Sequence, residues 1–147
     1  MHNTDRGYGW MAKALHWAIF LLFINQFIVA AVMLNMPGGD LVVGFTQGAL
    51  YEWHKSIGLV ALAVAVFRFL WRTLTSMPDW APNLSDGEKR AITVIERVLY
   101  AFMFVMPLSG FVFVMTGGFG VKLFNTWRLP RFIPEQESVA HAAQTIH

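Results

Sequence analysis

The chain has 147 residues, enough for one domain, and 56% of them are hydrophobic while only 14% are charged. Soluble domains average about 25% charged residues, so the composition points away from a soluble globule and toward a membrane protein. Cysteine is absent, which excludes thiolate iron–sulfur sites, haem attachment through C-x-x-C-H and disulfides. The formal charge of +2 is not gathered into a basic patch, so nucleic acid is not an expected partner.

In chain order, Arg6 and Lys13 introduce a first apolar run, Ala12 to Leu34. The run exceeds the about 7–15 apolar residues of a secretory signal, and no A-x-A pattern follows. It is therefore read as a retained transmembrane helix. Two further runs, Trp53 to Leu74 and Ala91 to Met115, also reach the roughly 20 residues that cross a bilayer. Asn35 to Asp40, Thr75 to Arg90 and Thr116 to Gly120 are rich in breakers and read as loops. Ser85 and Glu88 have capping-box spacing and start the third helix near Asp86. Pro107, followed by Gly110, should kink that helix, with the freed carbonyl met by Ser109 or a neighbour. The tail from residue 116 to 147 is polar, with a helix-like pattern from Glu135 to Gln144.

Positive charges set the expected orientation. Arg6, Lys13, Arg68, Arg72, Lys89, Arg90 and Arg97 fall on one side, against Lys55, Lys122, Arg128 and Arg131 on the other. The positive-inside rule then places the amino terminus in the cytoplasm. Trp10, Trp17, Trp53, Trp71 and Trp127 lie near the expected interfaces, where amphipathic rings anchor helix ends. Asn25 and Gln26 fall mid-membrane, where interhelical hydrogen bonding is the more common use and a quinone headgroup the rarer one.

His16 lies toward the cytoplasmic end of the first helix and His54 toward the outer end of the second, so one metal cannot take both. A lone interfacial histidine beside a tryptophan is often just an anchor. The face below His54 argues for more. Gly58, Ala61, Ala65, Arg68 and Arg72 all fall within about 40° of it on a helical wheel, a small-residue groove ending in two arginines. Small residues also serve plain helix packing, but arginine in a bilayer costs a few kcal/mol unless paired or snorkelling. Arg68, about 21 Å along the helix from His54, needs a partner more than Arg72 does. A haem propionate would serve it, and so would Glu96. Axial ligation of b-type haem by imidazole accounts for histidine without cysteine, the groove and the arginines together. No H-x-x-x-H or histidine–carboxylate cluster favours zinc or copper. His141 and His147 point about 120° apart on a helix, so at most one of them ligates.

These residues carry a family resemblance. A-L-H-W (Ala14 to Trp17), L-Y-E-W-H-K-S-I-G (Leu50 to Gly58), F-R-F-L-W-R (Phe67 to Arg72), L-Y (Leu99, Tyr100) and P-L-S-G-F (Pro107 to Phe111) resemble the bacterial cytochrome b561 family, related to the cytochrome b subunits of nickel–iron hydrogenases. The resemblance implies an all-α membrane bundle of four helices holding two b haems, each between two histidines. His16 and His54 match the ligands on the first two helices. The fourth helix supplies their partners, one near its outer start, matching His147, and one about four turns deeper. The sequence stops at His147, so it is expected to be a truncated single domain, residues 1–147, with the fourth helix missing, His16 unpartnered and at most one haem fully ligated, by His54 and His147. His2 is an unconvincing substitute, and Glu96 stands where many relatives carry another histidine.

The expected function is electron transfer by a b-type cytochrome of the bacterial inner membrane, linked to ubiquinone or to a redox partner protein. Homo-oligomerisation is left open. Some relatives are thought to oxidise superoxide and pass the electron to quinone, but nothing in this sequence singles that activity out. The alternatives are an anchor subunit of a larger dehydrogenase or hydrogenase, and a haem-free remnant.

Overall fold

The structure, a computed structural model, describes residues 4, 7–37 and 40–147; His2, Arg6 and the Gly38–Gly39 pair lie outside the described residues. Among these, α1 spans Trp10–Asn35, α2 Gln47–Leu74, α3 Asp86–Thr116 and α4 Glu137–Ile146. Two short strands, β1 (Lys122–Leu123) and β2 (Trp127–Arg128), form an antiparallel hairpin between α3 and α4. The first three helices have 26, 28 and 31 residues, about 39–46 Å at 1.5 Å per residue. Each is long and apolar enough to cross a membrane. Large apolar side chains face outward along them, Phe27 at 70% exposure and Ile95 at 58%, as a protein solvated by lipid requires.

The helices pack in sequence order, α1 on α2, α2 on α3 and α3 on α4, while the α2 and α4 backbones do not pack on each other. Ile19, Ala65 and Met103, one from each long helix, form a shared core with Phe23, Tyr100 and Phe104 against it. A second cluster, Val114, Met115 and Val121, joins the end of α3 to the tail.

The capping box forms as the spacing predicts. Glu88 N–H donates to Ser85 Oγ, and Ser85 N–H donates to the Glu88 carboxylate at 2.8 Å. The start of α2 differs from expectation. The apolar run begins at Trp53, but the helix begins six residues earlier at Gln47, where Thr46 Oγ accepts the Ala49 N–H at 3.2 Å. Gln47 then donates to the Met33 carbonyl at 2.7 Å, closing the α1–α2 connection. His54 is therefore about two turns inside its helix.

The tail holds a hairpin besides the helix-like pattern that its sequence shows. The three residues that join the strands, 124–126, turn through Phe124 and Asn125, both at positive φ (46° and 58°), the left-handed pair of a primed turn. The chain then folds back along α3, where Gln136 N–H donates to the Thr116 carbonyl at 2.9 Å. The helix-like pattern of the tail becomes α4, ten residues long, which buries Ala140 and Ala143.

Candidate functional site

The stretch around His54 is held by more than its own helix. Glu52 and Lys55 pair at 2.6 Å, and both also reach the tail: Glu52 Oε2 accepts the Lys122 N–H at 3.0 Å, and Lys55 Nζ donates to the Gly120 carbonyl at 3.2 Å. Ser56, fully buried, accepts the Phe124 N–H at 2.8 Å and donates to the Glu52 carbonyl. Trp53 meets Phe124 edge to face at 5.2 Å and Phe45 at 6.0 Å. Sequence reading assigns Trp53 and Lys55 to an interface. In the folded chain they, with Glu52 and Ser56, dock the tail on α2. These contacts span 65 or more residues, so local sequence carries no sign of them.

That docking brings α4 round so that His147 faces His54. The ring centroids are 6.0 Å apart, with the planes at 77°. Two metal–imidazole bonds of about 2 Å placed end to end, with the ring radii added, come to about 6 Å. His147 Nδ1 lies 2.8 Å from the Met106 carbonyl. Met106 O can only accept, so Nδ1 is the donor, and in the neutral ring Nε2 keeps the lone pair. His54 Nδ1 is buried without a hydrogen-bond partner among the described residues. Gln26 Nε2 donates to the backbone carbonyl of His54 at 2.8 Å, the interhelical use expected of it; Asn25 is exposed. His141 is also exposed.

The small residues below His54 are covered by protein. Gly58 lies against Gln26, whose Nε2 would be 3.1 Å from a β-carbon there. Ala61 and Ala65 are buried, Ala65 against Ile19 and Met103. At the other end of the bundle, His16 shares a cleft of about 350 Å³ with Arg68, Trp71, Arg72, Glu96 and Tyr100. The sequence offers Glu96 as an alternative partner for Arg68; in the structure Glu96 pairs with Arg72 at 2.6 Å. One turn of α2 separates the two arginines, and only the register of α3 decides between them. Both guanidiniums stand over the Tyr100 ring, at 5.8 and 5.9 Å from its centroid, within the range of cation–π attraction. Arg68 Nε is buried without a hydrogen-bond partner among the described residues. His16 is exposed and meets Trp17 edge to face at 5.8 Å. The structure thus brings His54 together with His147 at one end, and His16 with Arg68 and Arg72 at the other. No group of three or more histidine, aspartate or glutamate side chains gathers for a metal among the described residues.

Comparison with known proteins agrees with this architecture. The sequence profile of the family described as prokaryotic cytochrome b561 matches residues 7–147. The chain is also 26% identical over 145 residues to cytochrome b561 homolog 2 of Escherichia coli (strain K12), covering 99% of this chain and 75% of that protein. With the profile matched across all four helices, the chain belongs to the prokaryotic cytochrome b561 family, multi-pass membrane proteins that bind haem b and transfer electrons.

Proposed function

We propose that this chain relays single electrons in the bacterial inner membrane, exchanging them with the quinone pool or a redox partner protein, and that His54 and His147 are the axial pair of one haem b. The observation that carries this reading is the meeting of the two imidazoles, 6.0 Å between centroids, on helices whose backbones do not pack together. The donor set suits the group. His147 keeps Nε2 for a metal while Nδ1 is held by a carbonyl, the arrangement by which ligating histidines are oriented. Buried His54 Nδ1 has no competing hydrogen-bond partner among the described residues. Haem, when bound, supplies the one-electron couple. This chain's residues hold two imidazole rings in place, and two axial imidazoles would leave no open position for dioxygen.

At the opposite end, His16 supplies one imidazole, and Arg68 and Arg72 are proposed to meet haem propionates, guanidinium and carboxylate forming charged bidentate bonds. Buried Arg68 Nε, without a hydrogen-bond partner among the described residues, supports this for Arg68. Arg72 would share its charge with Glu96. Gly58, Ala61 and Ala65, expected to line a haem groove, instead let the neighbouring helices pack close below His54, with Gln26 over Gly58 and with Ile19 and Met103 against Ala65. The amino terminus lies in the cytoplasm on this reading.

An optical spectrum of the purified membrane protein tests the assignment. The 147-residue chain should carry at most one low-spin haem, lost on His54→Ala or His147→Ala and retained on His16→Ala. Two stoichiometric low-spin haems surviving His16→Ala would show the ligand assignment to be wrong.

A further inference from the structure

The P-L-S-G stretch of α3 has a role that neither the helix kink nor the ligand pair accounts for. A β-carbon built on Gly110 would lie 2.6 Å from His147 Cε1, 2.9 Å from Nδ1 and 3.1 Å from Nε2. Real β-carbons essentially never come within 3.0 Å of such atoms, so the His147 ring rests where a side chain at 110 would be. One turn earlier, the Met106 carbonyl lies 2.8 Å from His147 Nδ1. Buried Ser109 donates its hydroxyl to the same carbonyl at 2.9 Å, and its oxygen lies 3.4 Å from that ring nitrogen. The carbonyl freed by Pro107 is that of Met103, because the missing N–H is the one that would have bonded four residues back. Ser109 therefore does not repair the proline break; its hydroxyl goes to the carbonyl that His147 uses.

We infer that the Met106–Gly110 turn of α3 is the seat of His147, with Gly110 and Ser109 as positioning residues: glycine gives the ring its place, and serine sets how much of the Met106 carbonyl is available to Nδ1–H. This rests on the reading of His147 as an axial ligand. Supporting contacts of this kind fix the tautomer and basicity of a ligating histidine. With Ser109 on the carbonyl, the Nδ1–H bond is tempered. Without it, the carbonyl serves His147 more fully, the imidazole becomes a stronger donor, and the ferric state gains.

The test uses the full chain in detergent, with Leu108→Ala, on an exposed residue of the same turn, as control and circular dichroism to check folding. In the haem-free protein, nitrogen NMR of His147 should show Nδ1 protonated, and Gly110→Ala should abolish that single tautomer. With haem, Gly110→Ala should weaken binding about 10–100-fold and replace low-spin by high-spin signal. Ser109→Ala should lower the midpoint potential, by about 59 mV if the ferric preference grows tenfold, and Ser109→Thr should restore it. If low-spin haem depends on His147 but Gly110→Ala and Ser109→Ala leave tautomer, spectrum and potential unchanged, the seat is overturned while the ligand reading stands. If low-spin haem survives His147→Ala, both are overturned. Should Gly110→Ala fail to fold, the serine pair and the wild-type tautomer still decide.

Discussion

Arg72 reaches across the α2–α3 interface to Glu96 at 2.6 Å, whereas Arg68, one turn back on the same helix, has a buried Nε with no hydrogen-bond partner among the described residues. The two cations share the Tyr100 face but not the carboxylate. The ion pair ties α2 to α3, and Arg68 is left to serve something else.

This asymmetry predicts different couplings. In a double-mutant cycle on unfolding in mixed micelles, Arg72→Met with Glu96→Gln should show an interaction of about 1 kcal/mol, within the range for contacting residues. Arg68→Met with Glu96→Gln should add independently, to within about 0.5 kcal/mol. A larger coupling for Arg68 than for Arg72 would reverse the pairing.

Ser56 predicts where the tail loosens. Its hydroxyl accepts the Phe124 N–H and is fully buried, so Ser56→Ala leaves that donor unsatisfied, a cost of about 1–3 kcal/mol. The effect should be local, because Glu52 and Lys55 still hold β1 and Gly120. Hydrogen exchange at residues 122–128 should accelerate roughly tenfold or more, one decade for each 1.4 kcal/mol, while α1 exchanges as before. Uniform acceleration throughout the chain would mean that the latch is part of the global core.

What could be read from the sequence, and what could not, divides by range. The capping box at Ser85 and Glu88 was legible because both partners lie within one turn, and the three spans because twenty apolar residues are their own signal. The true start of α2 was hidden. Its cap, Thr46, precedes a short stretch of mixed polarity, Gln47 to Glu52, which contacts with α1 and the tail hold in the helix. Glu96 was recognised as a partner for an arginine, yet choosing Arg72 over Arg68 needs the α2–α3 register. The motifs pointed to His54 and His147, but the seat of His147 depends on the backbone oxygen of Met106, which has no letter in a sequence. Gly110 was the one visible sign, and a glycine next to last in P-L-S-G-F reads more easily as a kink.

Gly58 gives a third prediction, independent of any haem. The side chain of Gln26 lies over it, 3.1 Å from where a β-carbon would be, while donating to the neighbouring His54 carbonyl. Gly58→Val should destabilise by about 1–3 kcal/mol, the usual range for overpacking. Adding Gln26→Ala should recover part of that loss by emptying the space. If the double variant is no more stable than Gly58→Val alone, the crowding at Gly58 comes from elsewhere.

Haem titration separates the two ends of the bundle. A ligand that binds only the folded state stabilises it by RT ln(1 + [L]/Kd), about 2.7 kcal/mol at a hundredfold excess over Kd. Stabilisation on adding haemin to haem-free protein should therefore appear in the wild type and in His16→Ala, and vanish in His54→Ala and His147→Ala. The reason is geometric: His54 has a second imidazole 6.0 Å away, while His16 has Trp17 beside it and two arginines across the cleft. Thermal unfolding followed at several haemin concentrations reads this directly, with secondary structure of each haem-free variant as the check on folding. Should His16→Ala abolish the stabilisation and His54→Ala preserve it, the tighter haem belongs to the arginine-lined end, and the meeting of His54 with His147 serves only to pack α4 against the bundle.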